Sequence, residues 1–248
     1  MSVRPEHFAK ALLRTLDLQQ PVSLEDVSKR IGLRIEDVNS IGFDGALLRI
    51  AGRPRGIIGV RKTIREKERR RFTIAHEIGH YVLPGHDVES NVCDADDLVA
   101  IGKEADKFER AANKFAAEFV LPSLAVRRIV RKLGISFETI RFVSKQFEAS
   151  FTAAAVQCVK AADHAALVMS KRGIVTSFEK SQNFGAYIEM GKLPEGSLAA
   201  QLVGSKQREK RGKVNAQVWV DIGHDEFGIM EHSISMPNYE RILTLLVH

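Results

Sequence analysis

The sequence predicts an α+β protein in which a helical core precedes a β-rich C-terminal region. Apolar residues recur at helical spacing through most of the first 162 residues, whereas beyond His164 they tend to alternate with polar ones. Two apolar stretches, residues 46–50 and 56–60, flank the turn-rich residues 52–55 and predict a β-hairpin ahead of the central helices. We therefore expect three regions, at residues 1–123, 124–163 and 164–248.

The composition is that of an ordinary globular protein. The chain has 248 residues, of which 44% are hydrophobic and 27% charged, which excludes disordered and fibrous classes. The sequence has neither an apolar stretch near the ~18 residues that a membrane span needs nor a signal segment, so we expect a cytoplasmic protein that does not enter a membrane. Cys93 and Cys158 are the only cysteines, so a metal site would need His and carboxylate ligands.

The expected elements of the first region follow from apolar spacing and from helix-stop residues. Short helices are predicted at residues 6–16 and 24–31, the second after a Ser23-x-x-Asp26 cap. After the hairpin, residues 69–83 have helical spacing that Pro84-Gly85 ends, and residues 85–97 are polar and typical of a loop. Residues 98–121 form the second strong helical pattern, which ends at Pro122.

Beyond the second central helix, the expected structure changes from helices to strands. Residues 124–162 predict three short helices, and the following segments predict a mostly antiparallel sheet. The strand candidates are residues 165–168, 173–178, 214–222, 227–234 and 242–247. Residues 205–213, with five basic side chains and one acidic, are typical of a mobile loop.

The most informative motif is His76-Glu77-Ile78-Gly79-His80, an H-E-x-x-H sequence on the first central helix. Helix positions four apart are separated by about 400°, so both imidazoles point to one side and could share a metal ion. A pair of core histidines would give the same spacing without a metal. The surrounding residues favour the metal, because nothing else requires two polar side chains among buried ones.

A catalytic zinc usually has three protein ligands and a water, so a third ligand is required. One candidate is His86, six positions after His80, although the pattern with this spacing requires Gly where this chain has Leu83. The other is a carboxylate on the second central helix, as in peptidases with two His and one Glu.

A helical projection of residues 98–121 favours Glu109 as that carboxylate. It lies about 60° from the centre of the apolar stripe, against about 80° for Glu104 and about 120° for Asp106 and Glu118. It also lies along a row of small residues, Ala105, Ala112 and Ala116, that would let the two helices approach closely. A metal partner explains this core-facing acid better than packing does.

Two segments together resemble the ImmA/IrrE family of metallo-endopeptidases. They are RFTIAHEIGHY at residues 71–81 and ERAANKFAAEFVLP at residues 109–122. The resemblance implies a zincin-like core, zinc bound by His76, His80 and Glu109, and Glu77 as the catalytic base that takes a proton from the attacking water. It extends weakly to Phe43-Asp44-Gly45, Trp219, residues 231–234 and residues 243–246, to which no chemistry is assigned.

The resemblance also bears on substrate and partners. Many family members act on DNA-binding repressors, so we expect a protein substrate of that kind and peptide bond hydrolysis. Tyr81, His86 and His164 are candidate oxyanion donors without a motif behind them.

A competing function is DNA binding. Residues 137–147 and 151–162 resemble a helix-turn-helix, with basic residues 127–132 just upstream, which would make the protein a transcriptional regulator with a structural metal site. The second helix is too apolar to read base edges, so a packed helical subdomain is favoured. A third possibility is that the β-rich region binds a regulatory ligand, for which the sequence offers no motif.

Overall fold

The computed structural model describes residues 4–49, 55–85, 90–93, 105–220 and 228–248. The chain forms two compact units. The first comprises Met1–Ser123 and Phe142–Ala153, and the second comprises Leu124–Arg141 and Ala154–His248. Helices and strands occur in both, so the expected α+β class is confirmed. No helix in the described ranges is long and apolar enough to cross a membrane.

The first unit combines a small sheet with the two central helices. Its helices are α1 (Pro5–Thr15), α2 (Leu24–Arg30), α3 (Lys67–Val82) and α4 (Ala105–Val120), and its strands are β1 (Leu33–Val38), β2 (Gly45–Arg49), β3 (Gly56–Arg61) and β4 (Ser90–Cys93). The sheet order is β1-β3-β2-β4, with β1 parallel to β3 and the other pairs antiparallel.

The predicted hairpin is confirmed, but two strands of this sheet were not expected. In β2 and β3, Leu47 lies opposite Ile58 and both are buried. The sequence of β1 alternates only briefly between apolar and charged residues, and this strand becomes stable by lying parallel to β3. The other unexpected strand, β4, lies within the segment predicted to be a loop, where it pairs with β2.

Helices α3 and α4 approach closely because small residues face each other. A Cβ atom added at Gly79 would lie 3.1 Å from the Phe115 ring and 3.3 Å from the Ala112 backbone. Phe115 and Phe119 are fully buried, and their rings stack at 5.3 Å. The close helix approach predicted from the small residues is therefore present at Ala112, whereas residues 98–104 of the predicted helix lie outside the described ranges.

Three short helices follow, as predicted: α5 (Ser123–Leu133), α6 (Phe137–Phe147) and α7 (Phe151–Ala161). Both α6 and α7 are divided between the two units, because residues 142–153 belong to the first. The separate subdomain expected at residues 124–163 therefore stays a prediction.

The second unit is built on a six-stranded antiparallel sheet, as expected. The strands are β5 (Ala165–Lys171), β6 (Ile174–Lys180), β7 (Gly191–Lys192), β8 (Glu209–Asn215), β9 (Gly228–Met236) and β10 (Arg241–Val247), in the order β7-β6-β5-β10-β9-β8. A short helix, α8 (Leu198–Leu202), packs against it.

The predictions of a strand at residues 214–222 and of a loop at residues 205–213 were both wrong in part. The strand β8 begins at Glu209, inside the expected loop, and pairs with β9 along its whole length. It is an edge strand, where charged residues are tolerated because one side faces solvent. It ends at Asn215, whose side chain accepts a hydrogen bond from the Gln217 N–H and so begins a short 3₁₀ helix. Residues 221–227 lie outside the described ranges.

A buried carboxylate connects the elements beside this sheet. Glu231 on β9 has no exposed surface, and it accepts hydrogen bonds from the Trp219 indole at 2.8 Å and from the Ala199 N–H at 2.7 Å. The Ser233 hydroxyl donates a third. Because a buried charge needs such partners, these residues form a structural network.

Candidate active site

Helix α3 places His76, Glu77 and His80 in the interior of the first unit. His76 is 7% exposed, while Glu77 and His80 have no exposed surface. Buried positions continue without a break from Thr73 to His80, so the middle of this helix is covered on several sides. Helix α3 ends at Val82, and the backbone of the following Leu83 is extended, which is typical of a residue before proline.

Helix α4 brings Glu109 to the two histidines. Its Oε2 lies 3.1 Å from His76 Nε2 and its Oε1 lies 3.1 Å from His80 Nε2. The two Nε2 atoms are 3.0 Å apart. The structure therefore brings together the three side chains that the projection and the resemblance selected.

These three side chains can hold a metal ion. One ligand atom from each can be chosen so that all lie within 4.8 Å of one another. In a tetrahedral zinc site with bonds of about 2.0–2.1 Å, ligand atoms are about 3.3 Å apart, so only a small outward movement is needed. Two imidazoles and one carboxylate are also a donor set found in catalytic zinc peptidases.

Asn113 contributes to the site, although the sequence reasoning gave it no role. Its Oδ1 lies 3.0 Å from His76 Nδ1, which donates the hydrogen bond when that nitrogen is protonated. This tautomer leaves Nε2, the atom facing Glu109, with a lone pair for a metal. The signal was present in the sequence, because Asn113 follows Glu109 by four residues and therefore lies on the same helix face.

The three side chains shift one another's pKa values. Burial lowers the pKa of His76, but the hydrogen bond with Glu109 and the negative charges of Glu77 and Glu109 outweigh it and leave this pKa raised. Burial is also the main cause of the lowered pKa of His80. For Glu109, burial raises the pKa, but the hydrogen bonds with both histidines hold it well below its ordinary value.

Arg49, another residue that sequence reasoning missed, holds the end of α3. Its guanidinium donates hydrogen bonds to the carbonyl oxygen atoms of His80 at 2.7 Å and Tyr81 at 3.2 Å. It also lies 5.0 Å from the centre of the Tyr81 ring, within cation–π distance. Its positive charge contributes to the lowered pKa of His80.

The sequence offered further candidate residues besides these. His86 and Glu104 are outside the described residues, as is the side chain of Asp106, and His164 belongs to the second unit. Glu118 is only 5% exposed, so the expectation that Glu109 is the most core-facing acid was wrong. Glu118 is buried because it accepts hydrogen bonds from the Ser123 N–H and hydroxyl group at the end of α4.

Comparison with known proteins supports the resemblance seen in the sequence. A solved structure described as a Mycobacterium tuberculosis transcriptional regulator has a similar fold, with a TM-score of 0.61 and 11% identity. The match covers 98% of this chain and 75% of that one, and at this identity it concerns the fold alone. No curated protein sequence matches the chain significantly. Residues 29–158 match the IrrE N-terminal-like domain of the M78 peptidases, so the chain belongs to this family of metallopeptidases.

Proposed function

We propose that the protein is a zinc-dependent endopeptidase of the HExxH type that hydrolyses a specific intracellular protein. His76, His80 and Glu109 bind the zinc ion, and Glu77 is the general base. The observation that carries this proposal is the convergence of the Glu109 carboxylate on both Nε2 atoms. A second carboxylate, that of Glu77, follows His76 directly on the same helix. We place this chemistry in a zincin-like core within residues 1–123.

The mechanism assigns separate roles to the four side chains. When bound, zinc would lower the pKa of a water molecule and polarise the peptide carbonyl. Glu77 accepts the proton from the attacking water and returns it to the leaving amine, so its carboxylate must be held in one place throughout the reaction. Asn113 fixes the orientation of the His76 ring, and Arg49 fixes the backbone at His80.

The proposed substrate is a DNA-binding transcriptional repressor. The observation that supports it is the membership of a family that the sequence resemblance links to repressors. A peptidase confined to one substrate should degrade unrelated unfolded proteins slowly. We therefore expect little hydrolysis of casein under conditions in which the repressor is cut once or a few times.

A second candidate is a DNA-binding regulator, which the charge on α5 favours. This helix contains no acidic residue, and four of its basic side chains are exposed: Arg127, Arg128, Arg131 and Lys132. Base reading by α7 is less favourable. Within α7, all of which is described, only Lys160 is exposed, and its Nζ lies 3.2 Å from Glu179. We therefore place direct DNA contact second.

The test is an assay of Glu77→Gln against purified candidate repressors, with cleavage read by mass spectrometry. We expect this variant to bind zinc like the wild type and to lose about 10²–10⁴-fold in hydrolysis rate. Glu68→Gln, an exposed position on the same helix, is the matched control and should keep full activity. An active Glu77→Gln protein would refute the assignment of the base. Site-specific DNA binding by the metal-free protein would favour the regulator instead, whereas incidental phosphate contact should weaken steeply with salt.

A further inference from the structure

One face of α3 lies against the start of strand β2. Arg69, Thr73 and Glu77 are spaced four residues apart, so they follow one ridge of the helix. Each of them contacts the chain at Asp44-Gly45. This contact lies beside the zinc ligands but does not include them, because His76 and His80 face α4.

Gly45 leaves the space that the Glu77 carboxylate occupies. A Cβ atom added at Gly45 would lie 2.7 Å from Glu77 Oε1 and 2.5 Å from Thr73 Cγ2. Separations below 3.0 Å between such atoms essentially do not occur in proteins. Gly45 is buried, so the backbone of β2 directly covers the carboxylate. The requirement for glycine here is one of space, since its φ angle is not positive.

Asp44 fixes the position of Gly45 relative to the helix. Its carboxylate forms ion pairs with Arg69 on α3 and with Arg61 at the end of β3. Its carbonyl oxygen also accepts a hydrogen bond of 2.9 Å from the Arg61 N–H. Asp44 is 8% exposed, and Nε and Nη2 of Arg69 both donate to its Oδ2, which restricts both side chains. These contacts fix the position of the start of β2 along α3, one residue before the contact between Gly45 and Glu77.

We propose that Gly45 is a positioning residue for Glu77: by having no side chain, it lets the backbone of β2 hold the carboxylate in the place from which it takes a proton from the attacking water and passes it to the leaving amine. This inference rests on the proposed function, in which Glu77 is the general base. It also gives a physical reason for the Asp44-Gly45 part of the family resemblance. Nothing in the zinc-binding contacts requires Gly45.

The first experiment measures Gly45→Ala with the protein substrate. The added methyl group would push Glu77 Oε1 from 2.7 Å to at least the 3.4 Å of ordinary contact, a movement of about 0.7 Å. A misplacement of about 1 Å at a reacting group can lower a rate ~10²-fold, so we expect kcat to fall about 10²-fold. We expect KM to stay within about twofold and the bound zinc to stay at one ion per chain, because the methyl group meets neither substrate nor ligands.

Two further variants separate positioning from a structural defect. In Gly45→Ala/Thr73→Ser, the second substitution removes Cγ2 of Thr73, so the clash with this atom is relieved. The clash with Glu77 remains. We expect the melting temperature to recover partly while kcat stays low. Gly59→Ala on β3 is the matched control, since its Cβ atom would touch Val38 at 3.3 Å and no atom of α3. It should keep full kcat.

A thermal cycle on the zinc-free protein tests the contact without activity. Overpacking by one methyl group should lower the melting temperature of Gly45→Ala by about 5 °C or prevent folding. The same substitution in a Thr73→Ser/Glu77→Ala background should cost less than about 1 °C, because both clashing groups are absent.

These results decide between the alternatives. Wild-type kcat in Gly45→Ala/Thr73→Ser would overturn the proposal, because Thr73 alone would then sense the methyl group. The proposal would also be overturned if Gly45→Ala lowered the melting temperature by about 5 °C or more in the Thr73→Ser/Glu77→Ala background. This comparison does not depend on whether Gly45→Ala folds alone. If the zinc-loaded wild type cuts no protein, the proposed function fails, and the thermal cycle still tests whether Gly45 determines the place of the Glu77 side chain.

Discussion

Replacing Glu109 by glutamine should remove most of the zinc affinity while leaving the fold intact. The substitution keeps the shape of the side chain but exchanges the charged carboxylate, now 3.1 Å from both Nε2 atoms, for a neutral amide that binds zinc weakly. Groups that only support a ligand are worth about 10–100-fold in metal affinity, so loss of a ligand itself should cost at least about 100-fold. At a fixed zinc concentration, this corresponds to about 2.7 kcal/mol less stabilisation by zinc.

The assay is a competition titration of zinc against a chromophoric chelator, together with melting temperatures with and without zinc. Glu118→Gln is the matched control, because this glutamate also lies on α4 but bonds to Ser123 instead of to the histidines. We expect it to bind zinc like the wild type. If Glu109→Gln retained wild-type affinity and His86→Ala lost it, the third ligand would be His86, and the reasoning from the α4 geometry would be refuted.

Two further predictions concern the same cluster. Asn113→Leu should weaken zinc binding about 10–100-fold in the same titration, because His76 loses the acceptor that orients its ring, while Asn113→Asp should retain most of the affinity. The second prediction concerns the pH dependence of stability and follows from the raised pKa of His76. Protonation of His76 stabilises the zinc-free protein fully below the ordinary histidine pKa of about 6.5. This contribution is lost as the pH rises through the raised pKa. His80 has a lowered pKa and loses stability only below about 6.5, so it does not oppose the trend in that window. The melting temperature of the zinc-free protein should therefore fall with pH above 6.5, and the stabilisation by zinc should grow. If the difference in melting temperature between the zinc-free and zinc-loaded proteins did not change with pH, this prediction would be contradicted.

The sequence was sufficient to predict which side chains of the candidate site lie close together, because helical spacing is a local property. Positions four apart on α3 and the apolar stripe on α4 follow from the sequence alone, and they brought His76, His80 and Glu109 together correctly. Projection could not rank Glu109 against Glu118, however. Burial of Glu118 depends on Ser123, which follows the end of the helix, and on α1, whose Lys10 Nζ lies 3.6 Å away.

The elements that sequence reasoning missed are those whose stability comes from pairing with distant strands. The edge strand β8 is rich in Lys and Arg, whose patterns resemble those of a loop, and only its ladder with β9 shows it to be a strand. The same holds for β1, which pairs directly and in parallel with β3, although β2 lies between them in the sequence. Gly45 was noted in the sequence without a role, because a need for space becomes visible only when the neighbouring helix is in place.

Two glycines, Gly79 on α3 and Gly45 on the neighbouring β2, let different elements approach two faces of this helix. At Gly79, the backbone of α4 comes close enough at Ala112 for Glu109, one turn earlier on that helix, to reach both histidines. At Gly45, the backbone of β2 comes close enough to cover Glu77. A side chain at position 79 would press α4 away and act on metal binding, whereas one at position 45 would act on the general base. In the proposed function, H-E-x-x-H places the base between two ligands on one helix, so the enclosing elements must approach from different sides. At Gly79 and at Gly45, each of these approaches occurs at a position without a side chain.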